Sequence, residues 1–164
     1  ATTYRTSKYI HWRFLEHPYT KYHVGIARTR NGHVVGLVVL RIETTTAGVG
    51  FAIARVVDIV SIEQADSALI DGILQFSREL RCDAIDVYTT FKKYELVFRN
   101  KGFRIGLRMP FNLIPELFNP VAFRPLDPYQ QTIIFKDNRL RKSRLPSLEE
   151  WHIVRADGDR DRAH

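Results

Sequence analysis

A chain of 164 residues, 45% of them apolar, can bury one full hydrophobic core and has little room for a second, so a single domain over residues 1–164 is expected. The 25 Lys and Arg against 18 Asp and Glu leave a formal charge of +7, which favours anionic ligands without naming one, be it a nucleic acid, an anionic surface or a nucleotide-like cofactor. The lone Cys82 excludes an internal disulfide and a thiolate metal cage; no run approaches the ~18 apolar residues of a membrane span and no basic-then-apolar leader opens the chain, so a reducing, cytoplasmic setting is the default expectation.

Residues 9–22 open with Tyr9, Ile10, Trp12, Phe14 and Leu15 and meet Pro18, which predicts a short packing helix running into a loop. From Tyr22 the pattern alternates through Val24 and Ile26 to Asn31-Gly32, a dipeptide tolerant of positive φ, predicting a strand and a tight hairpin turn. The return run over 33–43 carries Val34, Val35, Leu37, Val38, Val39, Leu40 and Ile42, as expected of a strand covered on both faces at the centre of a sheet. After a polar, glycine-bearing stretch over 44–50, residues 56–60 predict another strand, β-branched except for Asp58.

Ser61 with Gln64 three positions on has the form of a capping box, and Glu63 and Asp66 fall where negative charge complements a helix dipole, so a helix is expected from this point. Leu69, Ile73, Phe76 and Leu80 recur at helical spacing, with Arg78 and Arg81 in the last turn. Residues 84–89 predict a strand, 94–100 a short helix stopped by Gly102, and 103–107 a further strand; the sum is an α/β (α+β) pattern. Pro110, Pro115, Pro120, Pro125 and Pro128 make the next stretch extended or irregular, with a turn or two of helix at 113–118, then a strand at 130–136. A basic loop and tail complete the chain over 137–164, with an apolar piece at 151–154.

The element order over the core, residues 9–136, resembles the GNAT acyltransferase superfamily. The most specific local match is Tyr94-Glu95-Leu96-Val97-Phe98-Arg99-Asn100-Lys101-Gly102-Phe103, similar to that family's helix ending in a Gly-Phe pair after a basic residue. Trp12-Arg13-Phe14 with Pro18, and Trp151 followed by Asp157-Gly158-Asp159, are similar to a divergent branch found with bacterial surface-polysaccharide and cell-envelope genes. The resemblance implies a mixed, twisted central sheet with helices on both faces. It also implies that the fold is incomplete at its amino-terminal side, the chain being part of a longer protein or completed by another domain or protomer.

The same resemblance implies transfer of an acyl group from acyl-CoA, acetyl-CoA in the first place, to a small-molecule amine, an amino sugar or envelope precursor in the narrower branch. The acyl-CoA would wedge between the strands at 56–60 and 84–89, its pyrophosphate at the helix start, with Ile59, Val60, Ser61, Ile62, Gln64, Ala65 and Ser67 around it. Asp58 would be the base and Tyr94 or Tyr88 the acid that protonates the departing thiolate. Two departures stand against this pattern. Residues 61–68 contain no glycine and present Glu63 and Asp66 where phosphates would land, at about 0.3–1 kcal/mol for an exposed acid. Phe98 stands where the family often has a proton-donating tyrosine.

Each candidate also has a plainer reading: Asp58 as a paired carboxylate, Tyr94 and Tyr88 as packing residues, Cys82 as an inert thiol. The six histidines, His11, His17, His23, His33, His152 and His164, show no ligand spacing, so no metal is expected. Asp157, Asp159 and Asp161 lack the rest of a calcium loop. The basic run Lys136, Arg139, Arg141, Lys142 and Arg144 carries no interleaved aromatics and reads as a solvated loop before a phosphate grip. Three functions follow in order: an N-acyltransferase, a catalytically degenerate structural or binding module of the same fold, and a basic nucleic-acid-binding domain.

Overall fold

The computed structural model describes residues 4–44, 50–104, 152 and 154. The first helix, α1 (Ser7–Ile10), is capped by Thr6, whose hydroxyl accepts from the Tyr9 amide at 3.1 Å. It widens into a π-helical turn over His11–Leu15, closed by the Glu16 amide donating to the His11 carbonyl at 2.9 Å. The helix therefore starts earlier than the apolar set suggested and stops before Pro18.

Four strands follow: β1 (Tyr22–Arg28), β2 (Val34–Thr44), β3 (Ala52–Ser61) and β4 (Ala84–Val87). They form one mixed sheet in the order β1-β2-β3-β4, antiparallel except for the parallel pair β3 and β4. The near-continuous apolar run of β2 lies between β1 and β3, as its composition predicts. The hairpin loop spans Thr29 to His33 rather than two residues: the Thr29 amide donates to the His33 carbonyl, and Gly32 takes the positive φ of 84° that its missing Cβ permits.

Side-chain alternation then divides the sheet. His23, Gly25 and Ala27 pair with Leu40, Val38 and Gly36 and face helix α2 (Asp66–Glu79); Tyr22 and Arg41, with Asp58, face the other way. Phe14 packs on Tyr22 with ring centroids 5.2 Å apart, which sets the amino-terminal helix on the face opposite α2. The predicted helices on both faces are thus present. The shared core joins aliphatic residues, among them Val39, Val57, Ile59 and Ile70, with the rings of Phe14, Tyr22, Tyr94 and Phe98.

Both long helices end in the same way. At α2 the Cys82 amide donates to Ser77 and the Arg81 amide to Arg78; at α3 (Lys92–Asn100) the Phe103 amide donates to Phe98 and the Gly102 amide to Arg99. These are Schellman closures, and each needs a left-handed residue. Gly102 supplies it at φ 89°, whereas Arg81 supplies it at φ 54° despite its Cβ. The Phe98 and Phe103 rings meet at 4.8 Å, the apolar contact that goes with such a closure.

Gly72 stands in the middle of α2, and a Cβ built there would meet nothing within 4 Å. Gly72→Ala is therefore expected to stabilise the fold by about 0.5–1 kcal/mol through helix propensity, raising Tm by roughly 1–4 °C in a thermal melt; a lower Tm would contradict the packing described here. No helix among the described residues is long and apolar enough to cross a membrane. Phe103 and Arg104 follow α3 without joining a strand. The rest of that predicted strand, the proline-rich stretch, the strand at 130–136, the basic run and the aspartate-bearing tail lie outside the described residues.

Candidate active site

The parallel pair β3 and β4 is short. Pairing runs from Ile53 with Ala84 to Val56 with Val87, and β3 then continues to Ser61 beyond the end of β4. Asp83 fixes the start of this pair: the Ala52 amide donates to its carboxylate at 2.8 Å while its own amide donates to the Ala52 carbonyl at 2.8 Å. From the parting point, β3 leads through a 3-10 turn (Glu63–Ala65) into α2, and β4 leads into α3. Beyond Val56 and Val87 the pairing of the two strands stops, and both helix starts lie at the mouth this leaves.

The side chains at that mouth form one connected group. Ser61 Oγ donates to the Asp66 carboxylate and lies 2.9 Å from the Tyr94 hydroxyl. Lys93 Nζ donates to the Ser61 carbonyl at 3.1 Å and pairs with Asp66 at 3.0 Å. Tyr94 is 1% exposed, between Phe91 at 5.8 Å and His152 at 5.2 Å, and His152 stacks on Phe91 at 5.4 Å. His152 enters with the segment carrying Val154, which bridges to Thr89 just past β4.

Ser61 is not a capping residue. The 3-10 turn follows Ile62 with no side-chain cap, and the expected box with Gln64 is replaced by the bond from Ser61 to Asp66. The hydroxyl serves the carboxylate because a charged acceptor makes the stronger bond. That bond also changes the electrostatics assigned to the helix start. Asp66 is buried and already neutralised by Lys93, so its charge turns inward, while Glu63 is exposed at the turn.

Asp58 does not join this group. It pairs with Val39 across the sheet, three residues before Ser61, and so faces the amino-terminal helix, while its charge still acts on Tyr94 and adds to the rise of that phenol's pKa. Its carboxylate is 0% exposed and receives two bonds from Arg5, Nε at 2.9 Å and a terminal nitrogen at 3.1 Å. This ion pair matches the plainer of the two readings of Asp58, a paired carboxylate. Tyr88 follows the last β3–β4 pair and is half-buried; Ile59 is core, Ala65 is buried, and Val60 is half-buried, whereas Ile62, Gln64 and Ser67 are exposed around the turn. Cys82 is half-buried and burial raises its thiol pKa, in keeping with an unreactive thiol.

Burial, chiefly, raises the Tyr94 pKa; its bond to Ser61 opposes this and Asp66 adds to the rise. The folded state therefore holds the phenol proton where the unfolded chain has lost it, so this contribution to stability is full below pH ~10 and falls as pH climbs towards the folded value. Urea midpoints measured between pH 9 and 11 are expected to fall, and to fall less in Tyr94→Phe; parallel slopes would refute the buried hydroxyl.

Sequence reasoning missed Lys93, Arg5 and His152. A signal for Lys93 was present: Lys92-Lys93 opens α3 at the positive end of the helix dipole, where cations are disfavoured by about 0.3–1 kcal/mol. Phe98, read as an absent proton donor, is the apolar partner of Phe103.

No protein-family model matches the chain, and no curated protein sequence matches it. Among solved structures it is similar to an acetyltransferase of Trypanosoma brucei at 21% identity and TM-score 0.44, over 54% of this chain and 66% of that one. It is also similar to a mutant of the BH1408 protein of Bacillus halodurans at 14% identity and TM-score 0.45, over 54% of this chain and 62% of that one. The chain thus spans less than two thirds of either structure.

Proposed function

We propose that this chain binds a phosphate-bearing acyl donor of the acyl-CoA class where β3 and β4 part, and passes the acyl group to a small-molecule amine of the amino-sugar or envelope-precursor type. The observation that carries this reading is the parting of two parallel strands whose carboxyl ends both run into helices, with a lysine at the mouth. In open α/β sheets ligands settle outside the carboxyl ends of parallel strands, and helix starts present amides suited to anions.

The residues fit such a donor in part. Lys93, its side chain 26% exposed, offers a cation beside the start of α2, and Asp66 no longer opposes a phosphate because its charge is paired. Glu63 and the glycine-free turn reduce the fit. A bound donor supplies an activated thioester; the chain's own part is to hold the amine against it, since orientation alone lowers such a barrier by up to about 7–11 kcal/mol. The ion pair of Arg5 with Asp58 favours a second reading, a domain of this fold that binds the donor without turning it over.

Calorimetric titration with acetyl-CoA and with CoA tests the first step, and release of thiol in the presence of amino sugars tests the second. Saturable heat that weakens with added salt is expected from both ligands. Heat with no thiol release would select the second reading, and absence of heat would overturn both.

A further inference from the structure

Away from the β3–β4 mouth, on the α2 face of the sheet, a cavity of about 280 Å³ lies between α2 and the β1–β2 hairpin. Its walls follow from small residues placed opposite one another. Gly25 and Ala27 on β1 face Ala68 and Gly72 on α2, and the helix is held off the strand at two places. Phe76 meets the His23 ring at 5.1 Å, and Leu69 fills the space over Gly36, its Cδ2 3.4 Å from where a Cβ would be. Between these two props neither side has a side chain long enough to close the gap.

The described lining is apolar except for His23, and none of it is acidic. Lys21 stands two residues before His23 and acts electrostatically on its ring; with burial, the larger cause, it lowers the His23 pKa. Strand alternation puts Lys21 on the His23 side, just outside the lining, so one end of the cavity offers an imidazole with an ammonium beside it while the rest is hydrocarbon. An apolar cavity of ~150 Å³ accepts benzene, so this volume accommodates a ring with a short arm.

We propose that this cavity binds a small aromatic carboxylate, its ring between α2 and β1 and its carboxylate at His23 and Lys21. Charge complementarity selects the carboxylate over a neutral hydrocarbon, because the imidazole and the neighbouring ammonium can both donate to it and the described lining holds no acid to repel it.

Methyl chemical shifts of Ala27, Leu40, Leu69 and Ile73, followed during titration with phenylacetate, toluene and acetate, test this. Saturable shifts are expected with phenylacetate, at least fivefold weaker ones with toluene, and none with acetate. Gly72→Leu, at a lining position where an added Cβ meets nothing within 4 Å, is expected to weaken phenylacetate more than tenfold, and Lys21→Gln to weaken phenylacetate but not toluene. The proposal is overturned if phenylacetate gives no saturable shift, if it binds no better than toluene, or if its affinity is unchanged in both variants. Should Gly72→Leu fail to fold, the ligand comparison and Lys21→Gln still decide.

Discussion

Arg5→Met is expected to destabilise the fold by about 3–5 kcal/mol, seen as a Tm lower by roughly 6–20 °C. Asp58 is wholly buried within the sheet, and the Arg5 side chain that bonds it bidentately is itself only 5% exposed. Removing the guanidinium leaves a carboxylate in a low-dielectric site, where the desolvation cost of a charge far exceeds that of a neutral amide. The double variant Arg5→Met with Asp58→Asn is accordingly expected to be more stable than Arg5→Met alone. If the two single effects simply add, the pair is not the source of the stability. The contact spans 53 positions in sequence, so its loss should also release the amino-terminal helix from the sheet, detectable as faster amide exchange over residues 7–15.

Lys93→Glu is expected to weaken CoA binding at least tenfold, about 1.4 kcal/mol, while Lys93→Arg retains it. The reversal places a second acid against buried Asp66, now paired with Lys93 at 3.0 Å, and strips the mouth of its cation. Like charges this close repel one another at a cost. Circular dichroism of Lys93→Glu separates a folded variant with no affinity, which supports the assignment, from an unfolded one. Equal CoA affinity in wild type and a folded Lys93→Glu would remove Lys93 from the site; in the unfolded case, the neutral Lys93→Gln decides in the same way.

The buried ionic chemistry of the opposite sheet face is the largest feature that composition hid. Arg55, 1% exposed, pairs with Glu43 at 2.6 Å and Asp86 at 3.3 Å, and Arg41 bonds Glu43 as well. In the sequence these are ordinary charged residues in strand-like runs. Arg41 and Arg55 face each other across β2 and β3, and Arg55 faces Asp86 across β3 and β4. Only register brings the charges onto one face, and a shift of one residue would turn every one of them towards α2.

Among the described residues, local patterns by themselves determined the four strands and the two long helices in outline, the central place of β2, and the closing of α3 on Gly102-Phe103. Each of these rests on periodicity or on the backbone freedom of a glycine, which neighbours in sequence set. Tertiary structure alone decided that Asp58 is an ion-pair partner of Arg5, that Ser61 serves Asp66 and Tyr94 in place of the helix start, and that Lys93 holds the mouth where β3 and β4 part. Those roles depend on which groups a folded sheet places within hydrogen-bond reach and shields from water, and partners 32 to 53 positions apart, such as Lys93 with Ser61 and Arg5 with Asp58, carry no local signal of that meeting.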